Sequence, residues 1–221
     1  MKTLQKFGGF AALYMAAAYM VVMALFLVVL NYQSITDPLQ KVALLVEKPM
    51  VFFSTNVLSY VFFGVFLIGL SLALYDRLKP GAPAMMQVAT VIGIIWAGSL
   101  IAGGMVQNAG INPTVALYTK APAQAAMSWQ AIETVSNGLG NGNGEILGGL
   151  WALLVSISAL RGGRMPRALN FLGLFFGVVG LVSLPPGLTA ILVGVFGLGQ
   201  VIWYVWLGIV LLRGEQRKTT D

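Results

Sequence analysis

Glu145 is the residue whose type and position point most directly to chemistry. It follows a run from Gly138 to Gly144 in which every second residue is glycine, and an apolar stretch begins directly after it. That stretch, residues 146–160, would form a helix of only about 22 Å, against the roughly 30 Å of a bilayer core. Either this helix extends into the glycine run, which places the carboxylate about one turn inside the membrane, or the bilayer thins locally.

Two interpretations of Glu145 follow. A carboxylate at membrane depth is costly unless it is paired, hydrated or protonated, and such residues are functional sites by default. Alternatively, Glu145 interacts favourably with the positive end of a helix dipole while Asn141 or Asn143 acts as N-cap, which requires no function. The sequence leaves both a ligand contact and a helix cap open.

Uncharged polar residues inside the apolar segments are the natural companions of Glu145. Three of them fall near the same end of their segments as Glu145, and a fourth falls near the middle of the last segment. Each of them can serve as a hydrogen bond between helices, which is the common role of such residues in membranes. Together with Glu145 they predict a polar, ligand-binding pocket that opens to the outside; they are Asn56, Gln107, Asn108 and Gln200.

The absence of cysteine and histidine excludes several kinds of chemistry. Disulfides, thiolate nucleophiles, Cys/His zinc sites and histidine-ligated haem all need one of these side chains. Serine hydrolysis is disfavoured because no lysine lies inside an apolar segment to activate a serine. We therefore predict no catalytic residue, no metal site and no cofactor.

Composition places these residues in a membrane protein. Of the 221 residues, 58% are hydrophobic and 9% are charged, and the mean hydropathy is +0.85, a combination that soluble domains do not show. The apolar runs are much longer than the strands of a membrane barrel, so the predicted fold is all-α. We expect one polytopic helical bundle over residues 1–221 with about six spans, at about 10–30, 51–75, 84–106, 141–160, 168–184 and 188–212.

The basic residues predict the orientation of this bundle. Alternating spans put ten of the 13 lysines and arginines on one side and only Lys41, Lys48 and Lys120 on the other. The side rich in lysine and arginine is normally cytoplasmic, so both termini are expected there. The net charge of +6 then reflects topology and contact with anionic lipid, and no patch suited to nucleic acid remains.

The two longer connections, about 31–50 and 107–140, are expected on the outer side. Residues 121–135 of the second connection mix apolar and polar side chains in a pattern that favours a short amphipathic helix at the outer interface. The connection between spans five and six is a tight proline–glycine turn. No connection is long enough to hold a separate soluble module, so a single membrane domain is expected.

Four segments of the chain resemble a known family. They are residues 6–14 (KFGGFAALY), 70–80 (LSLALYDRLKP), 165–173 (MPRALNFLG) and 206–213 (WLGIVLLR). In these segments the chain resembles the bacterial membrane proteins grouped as domain of unknown function 4386. The resemblance implies a multi-pass helical bundle in the inner membrane, and it carries over no functional residue.

These observations predict a non-enzymatic membrane protein. Its expected role is to bind a lipid or small molecule in the outward-facing pocket, or to act as a sensor or accessory subunit. The alternative is a small transporter or channel working as an oligomer, which is disfavoured because no charged residue lies at the centre of a span. An intramembrane enzyme ranks third. The expected partners are membrane lipids, a small-molecule ligand, and a second copy or another membrane subunit.

Overall fold

The computed structural model describes residues 2–141, 145–185, 187 and 189–213. These residues are helical throughout apart from turns and contain no strand, which confirms the all-α prediction. Proline occupies the first turn of α2, α3, α5 and α6, where its missing N–H costs nothing. The helices are α1 (Lys2–Met23), α2 (Pro38–Glu47), α3 (Pro49–Asn56), α4 (Phe63–Leu78), α5 (Pro83–Tyr118), α6 (Pro122–Ser136), α7 (Ile146–Gly162), α8 (Arg167–Val182) and α9 (Thr189–Arg213).

Wider π-helical turns interrupt or extend three of these helices. One continues α1 over Ala24–Val29, one joins α3 to α4 over Val57–Phe62, and one follows α6 over Asn137–Asn141. The turn between α3 and α4 receives support from α1, because the hydroxyl of Tyr14 donates a 2.7 Å hydrogen bond to the carbonyl of Leu58. Such turns are common at functional sites.

Within the described ranges, four helical segments are long and apolar enough to cross a membrane: Thr3–Val29, Pro49–Leu78, Pro83–Tyr118 and Ile191–Arg213. The helices α7 and α8 are apolar but shorter, with 17 and 16 residues. They span about 24–26 Å at 1.5 Å per residue, less than a bilayer core.

Six helices close a ring around one interior. In spatial order they are α1, α4, α5, α7, α8 and α9, and α9 returns to α1. Short connections join α4 to α5 and α7 to α8, so these neighbours run antiparallel. Glycines allow close approach at several seams. A Cβ on Gly149, for example, would lie 2.7 Å from the carbonyl oxygen of Gly177.

One end of the ring gathers much of the positive charge. The side chain of Arg77, at the end of α4, donates to the carbonyl of Arg164 between α7 and α8. At the same end the amide of Gln5 donates to Ala73, and the connections at Gly81 and Gly162 touch. The start of α1 and the two connections that are predicted to face the cytoplasm thus lie at the same end of the ring.

The opposite end carries a second, smaller core that the sequence did not suggest. The helix α5 runs on to Tyr118, about 54 Å in all, because residues beyond the predicted span end at 106 continue to bury apolar side chains such as Ile111. The helix predicted in this connection is α6, and it packs against α5 and α2 with Trp129 buried. We call α2, α6 and the outer part of α5 the cap.

Candidate functional site

Glu145 is the residue immediately before α7, and both of its backbone groups are held. Its N–H donates a 3.0 Å hydrogen bond to the hydroxyl of Ser183, at the end of α8. Its carbonyl accepts from the N–H of Gly149 and lies beside Gly180 of α8. The start of α7 and the end of α8 are therefore fixed to each other, with the Glu145 side chain at their junction.

The helix α7 begins at Ile146, and the nearest described segment on the N-terminal side of Glu145 is a wide turn at residues 137–141. The wide turn Asn137–Asn141 contains Gly140 with φ of +135°, a conformation that disfavours any side chain. A Cβ on Gly140 would lie 3.5 Å from the hydroxyl of Ser99, so this turn rests on α5. The predicted span 141–160 therefore starts too early, because α7 begins at Ile146 and the described part of the glycine run, residues 138–141, packs against α5.

A partly open cavity of about 120 Å³ lies beside Glu145. It is lined by residues 138–140, residues 145–147 and Trp96 of α5. Trp96 is 13 residues beyond the start of α5, about 20 Å along the helix axis. The cavity therefore lies well inside the ring of helices, away from the end at which α5 begins.

The carboxylate of Glu145 faces tyrosines from three other helical segments. It lies close enough to the phenol groups of Tyr19, Tyr60 and Tyr204 to interact electrostatically with each of them. No lysine or arginine in the described ranges forms an ion pair with it; Lys48 pairs with Glu47 and Lys79 with Asp76, and both pairs lie outside the ring interior. Within the described ranges, Glu145 therefore has three tyrosines within electrostatic range and no cationic partner.

The helix α9 adds buried polar atoms that have no partner in the described part of the chain. Both the amide nitrogen and the amide oxygen of Gln200 lack a hydrogen bond, as does the hydroxyl of Tyr204, and both residues are 0% exposed. They are four residues apart and share one face of the helix. Buried polar groups normally find a partner, so α9 carries an unmet hydrogen-bonding requirement, and one of its two residues, Tyr204, lies within electrostatic range of Glu145.

Five aromatic rings pack against one another inside the ring of helices, one from each of five helices, and one of them, Trp96, also lines the cavity. Consecutive ring centroids are 5.4 to 6.5 Å apart, in the range of favourable aromatic pairs. The rings form a closed circuit, which we call the aromatic belt. In order, they are Tyr19, Phe63, Trp96, Trp151 and Tyr204.

The five site residues predicted from sequence fall into two groups. Glu145 and Gln200 belong to the region just described. Asn56 and Asn108 bond to each other, with a 2.9 Å distance from Nδ2 of Asn56 to Oδ1 of Asn108, and Gln107 donates to Ser136. These last contacts join α3, α5 and α6 about 16 Å farther along α5 than Trp96, so they hold helices together at the base of the cap.

Sequence reasoning missed the tyrosines. Tyr19, Tyr60 and Tyr204 come from segments that are far apart in the chain, and no local spacing connects them with Glu145. The available signal was the pair Gln200 and Tyr204, two polar side chains one helical turn apart in an apolar span. Within the described ranges, no group of three or more acidic, histidine or cysteine residues gathers at this or any other place.

The cap carries a separate polar cluster. The hydroxyl of Tyr32 donates a 2.6 Å hydrogen bond to Glu133 and accepts one from the indole N–H of Trp129, while Lys41 lies over the Tyr32 ring. Burial, together with the negative charge of Glu133, raises the pKa of Tyr32 above its ordinary value. Because these groups hydrogen-bond to one another, this cluster is best explained as a structural contact that holds the cap together.

Comparisons with known proteins add no identification. No family model, no curated protein and no solved structure matches this chain. The resemblance to domain of unknown function 4386 therefore stays a prediction, and the functional argument depends on the geometry of the site.

Proposed function

We propose that this chain is a six-span protein of a bacterial inner membrane that binds a small molecule from the outer side, with both termini in the cytoplasm. The sixfold ring supports the number of spans, since α7 and α8 occupy positions equivalent to those of the longer helices. The neighbouring positions of Arg77 and Arg164 at one end support the orientation, because positive residues favour the cytoplasmic side.

The observation that carries the binding proposal is the unmatched polarity around Glu145. Glu145 has no cationic partner and lies within electrostatic range of Tyr204, and Tyr204 and Gln200 are fully buried without hydrogen-bond partners in the described part of the chain. A bound polar molecule would supply those partners and offset the cost of placing a carboxylate at membrane depth. If Glu145 served only to cap α7, the buried polar atoms of Gln200 and Tyr204 on α9 would remain unexplained.

The dimensions of the cavity favour a small ligand over a whole lipid. Its volume of about 120 Å³ has room for about four waters at ~30 Å³ each, whereas pockets for drug-sized molecules are several times larger. A lipid would therefore enter only with its headgroup. This size suits a sensor or an accessory binding subunit.

A small oligomeric transporter or channel is the second candidate, favoured by one observation. In the described part of the chain, further buried polar atoms of the ring helices lack hydrogen-bond partners, at Ser71, Trp151 and Ser156. The interior at this level is filled by indole rings no more than 2% exposed, which favours binding over conduction. Flux of a solute in liposomes, lost in Glu145→Gln, would instead establish transport.

Native mass spectrometry of protein purified in mild detergent tests the binding proposal. We expect a defined small-molecule adduct on the wild type that is absent from Glu145→Gln, and the same spectrum reports the oligomeric state. Glu133→Gln is the matched control, because it removes a carboxylate from the cap and should keep the adduct. A bare wild-type protein, or an adduct that persists in Glu145→Gln, would contradict the proposal.

A further inference from the structure

We propose that the ligand of the Glu145 site is an organic ammonium cation, held by the carboxylate on one side and by the aromatic belt on the other. This inference rests on the proposed function and specifies its ligand class. Three features of the described residues carry it: the isolated carboxylate, the aromatic rings and the buried hydrogen-bonding groups on α9.

The charge of the site calls for a cation. The other four acidic residues in the described ranges all lie elsewhere. Glu145 is therefore the one described acid in the ring interior, and an anionic ligand would be repelled by it. The other four are Asp37, which caps α2, Glu47 beside Lys48, Asp76 paired with Lys79, and Glu133 bonded to Tyr32.

The walls of the site select an organic cation over a metal ion. Hard metal ions need six or more oxygen ligands, usually with several carboxylates, and one carboxylate among aromatic rings does not provide them. The faces of tryptophan and tyrosine attract ammonium groups, and cages of such rings are the common means of binding quaternary amines. Trp96 both lines the cavity and belongs to the aromatic belt.

The polar atoms on α9 complete the recognition. The amide oxygen of Gln200 can accept a hydrogen bond and the hydroxyl of Tyr204 can accept or donate one, and both are fully buried without partners. An ammonium compound with an N–H or a hydroxyl group would satisfy them. N–H groups occur in free amines and in the headgroups of ethanolamine lipids, and the chemistry of recognition is the same for both sources.

Calorimetric titration in nanodiscs made only of phosphatidylglycerol tests this proposal with three probes: tetramethylammonium chloride, potassium chloride at equal ionic strength, and neopentyl alcohol as the neutral isostere. We expect saturable binding of one tetramethylammonium per chain. We expect Glu145→Gln to weaken it by about tenfold, since a desolvated charge pair is lost. Trp96→Phe should weaken it less, and Glu133→Gln should leave it unchanged.

The two sources are separated by repeating the titration in nanodiscs that also contain phosphatidylethanolamine. A weaker apparent affinity there assigns the site to lipid headgroups, because the headgroup competes, and an unchanged affinity assigns it to a free ammonium compound. Equal binding of potassium or of neopentyl alcohol would overturn the ammonium assignment, as would an affinity that is unchanged in Glu145→Gln. A native adduct lost in Glu145→Gln without tetramethylammonium binding would overturn the ligand class while leaving the proposed function standing.

Discussion

The backbone N–H of Glu145 donates to the hydroxyl of Ser183, and that hydroxyl in turn donates to the carbonyl of Gly180. One serine therefore joins the start of α7 to the last turn of α8. Because Glu145 has no other side-chain partner for its N–H, this bond sets the position from which its carboxylate enters the ring. Ser183 is consequently a positioning residue of the site.

Ser183→Ala should lower both stability and ligand binding. Loss of this shared hydroxyl leaves a helix N-terminus less well satisfied, which we expect to cost about 1 kcal/mol of unfolding free energy. The native mass spectrum should also show a smaller adduct fraction. Ser158→Ala is the control, because Ser158 is equally buried but bonds only to Leu154 of its own helix. Equal effects of the two variants on the adduct would count against the positioning role.

Gly93→Ala should destabilise the ring, whereas Gly98→Ala on the same helix should not. A Cβ on Gly93 would lie 2.7 Å from the indole nitrogen of Trp151 and would also collide with the hydroxyl of Ser71, while nothing lies within 4 Å of a Cβ on Gly98. Overpacking of this kind costs about 1–3 kcal/mol. Thermal unfolding in detergent measures both variants, and a Gly93→Ala protein as stable as Gly98→Ala would show that the seam is looser than described.

The hydrogen bond between Asn56 and Asn108 should appear as coupling in a double-mutant cycle. Replacing each by alanine, singly and together, should give an interaction energy of about 1 kcal/mol, the size typical of such bonds between membrane helices. Asn56→Ala combined with Gln107→Ala serves as the control, since Gln107 bonds to Ser136 and shares no partner with Asn56. The effects of Asn56→Ala and Gln107→Ala on the free energy of unfolding should therefore add. Additivity of the Asn56 and Asn108 variants would contradict the bond.

Tyr32 should make the stability of the cap depend on pH in the alkaline range. Its pKa is raised in the folded protein by burial and by Glu133, whereas an unfolded tyrosine titrates at a pH of about 10. The stabilisation that Tyr32 contributes to the folded protein is therefore complete below about pH 10. It is lost as the pH rises toward the pKa of Tyr32 in the folded state, by at most about 1.4 kcal/mol per pH unit. Denaturant unfolding at pH 8 and above pH 10 should show a shallower loss in Tyr32→Phe. Parallel losses in the two proteins would contradict this account.

The fold and the site differ in how far the sequence predicted them. Helical structure followed from long apolar runs, because lipid forces backbone groups to bond within a segment. The end of α5 was missed because Ile111 is buried by α6 and the cap, a tertiary contact that hydropathy does not report. The count of six crossings stays a prediction, since α7 and α8 are shorter than a bilayer core.

Glu145 was found because a carboxylate next to a short apolar run is anomalous within one local window of sequence. The nearby tyrosines were not predicted, because Tyr19, Tyr60 and Tyr204 come near Glu145 only when the helices pack into a ring. Asn56 and Gln107 illustrate the opposite case: their polarity suggested a pocket, and their hydrogen bonds instead join neighbouring helices. A polar side chain in an apolar segment needs a hydrogen-bond partner. Only the fold shows whether that partner is another residue of the chain or a bound ligand.

The most direct test of the central claim is the reaction of a single cysteine at position 145 with a membrane-impermeant maleimide, which the absence of native cysteine makes possible. In sealed right-side-out vesicles, Glu145→Cys should react from the outside. Lys120→Cys in the cap serves as the accessible control, and Lys79→Cys should react only after permeabilisation. Complete protection of position 145 while position 120 is labelled, or labelling of position 145 only from the inside, would contradict an outward-opening site.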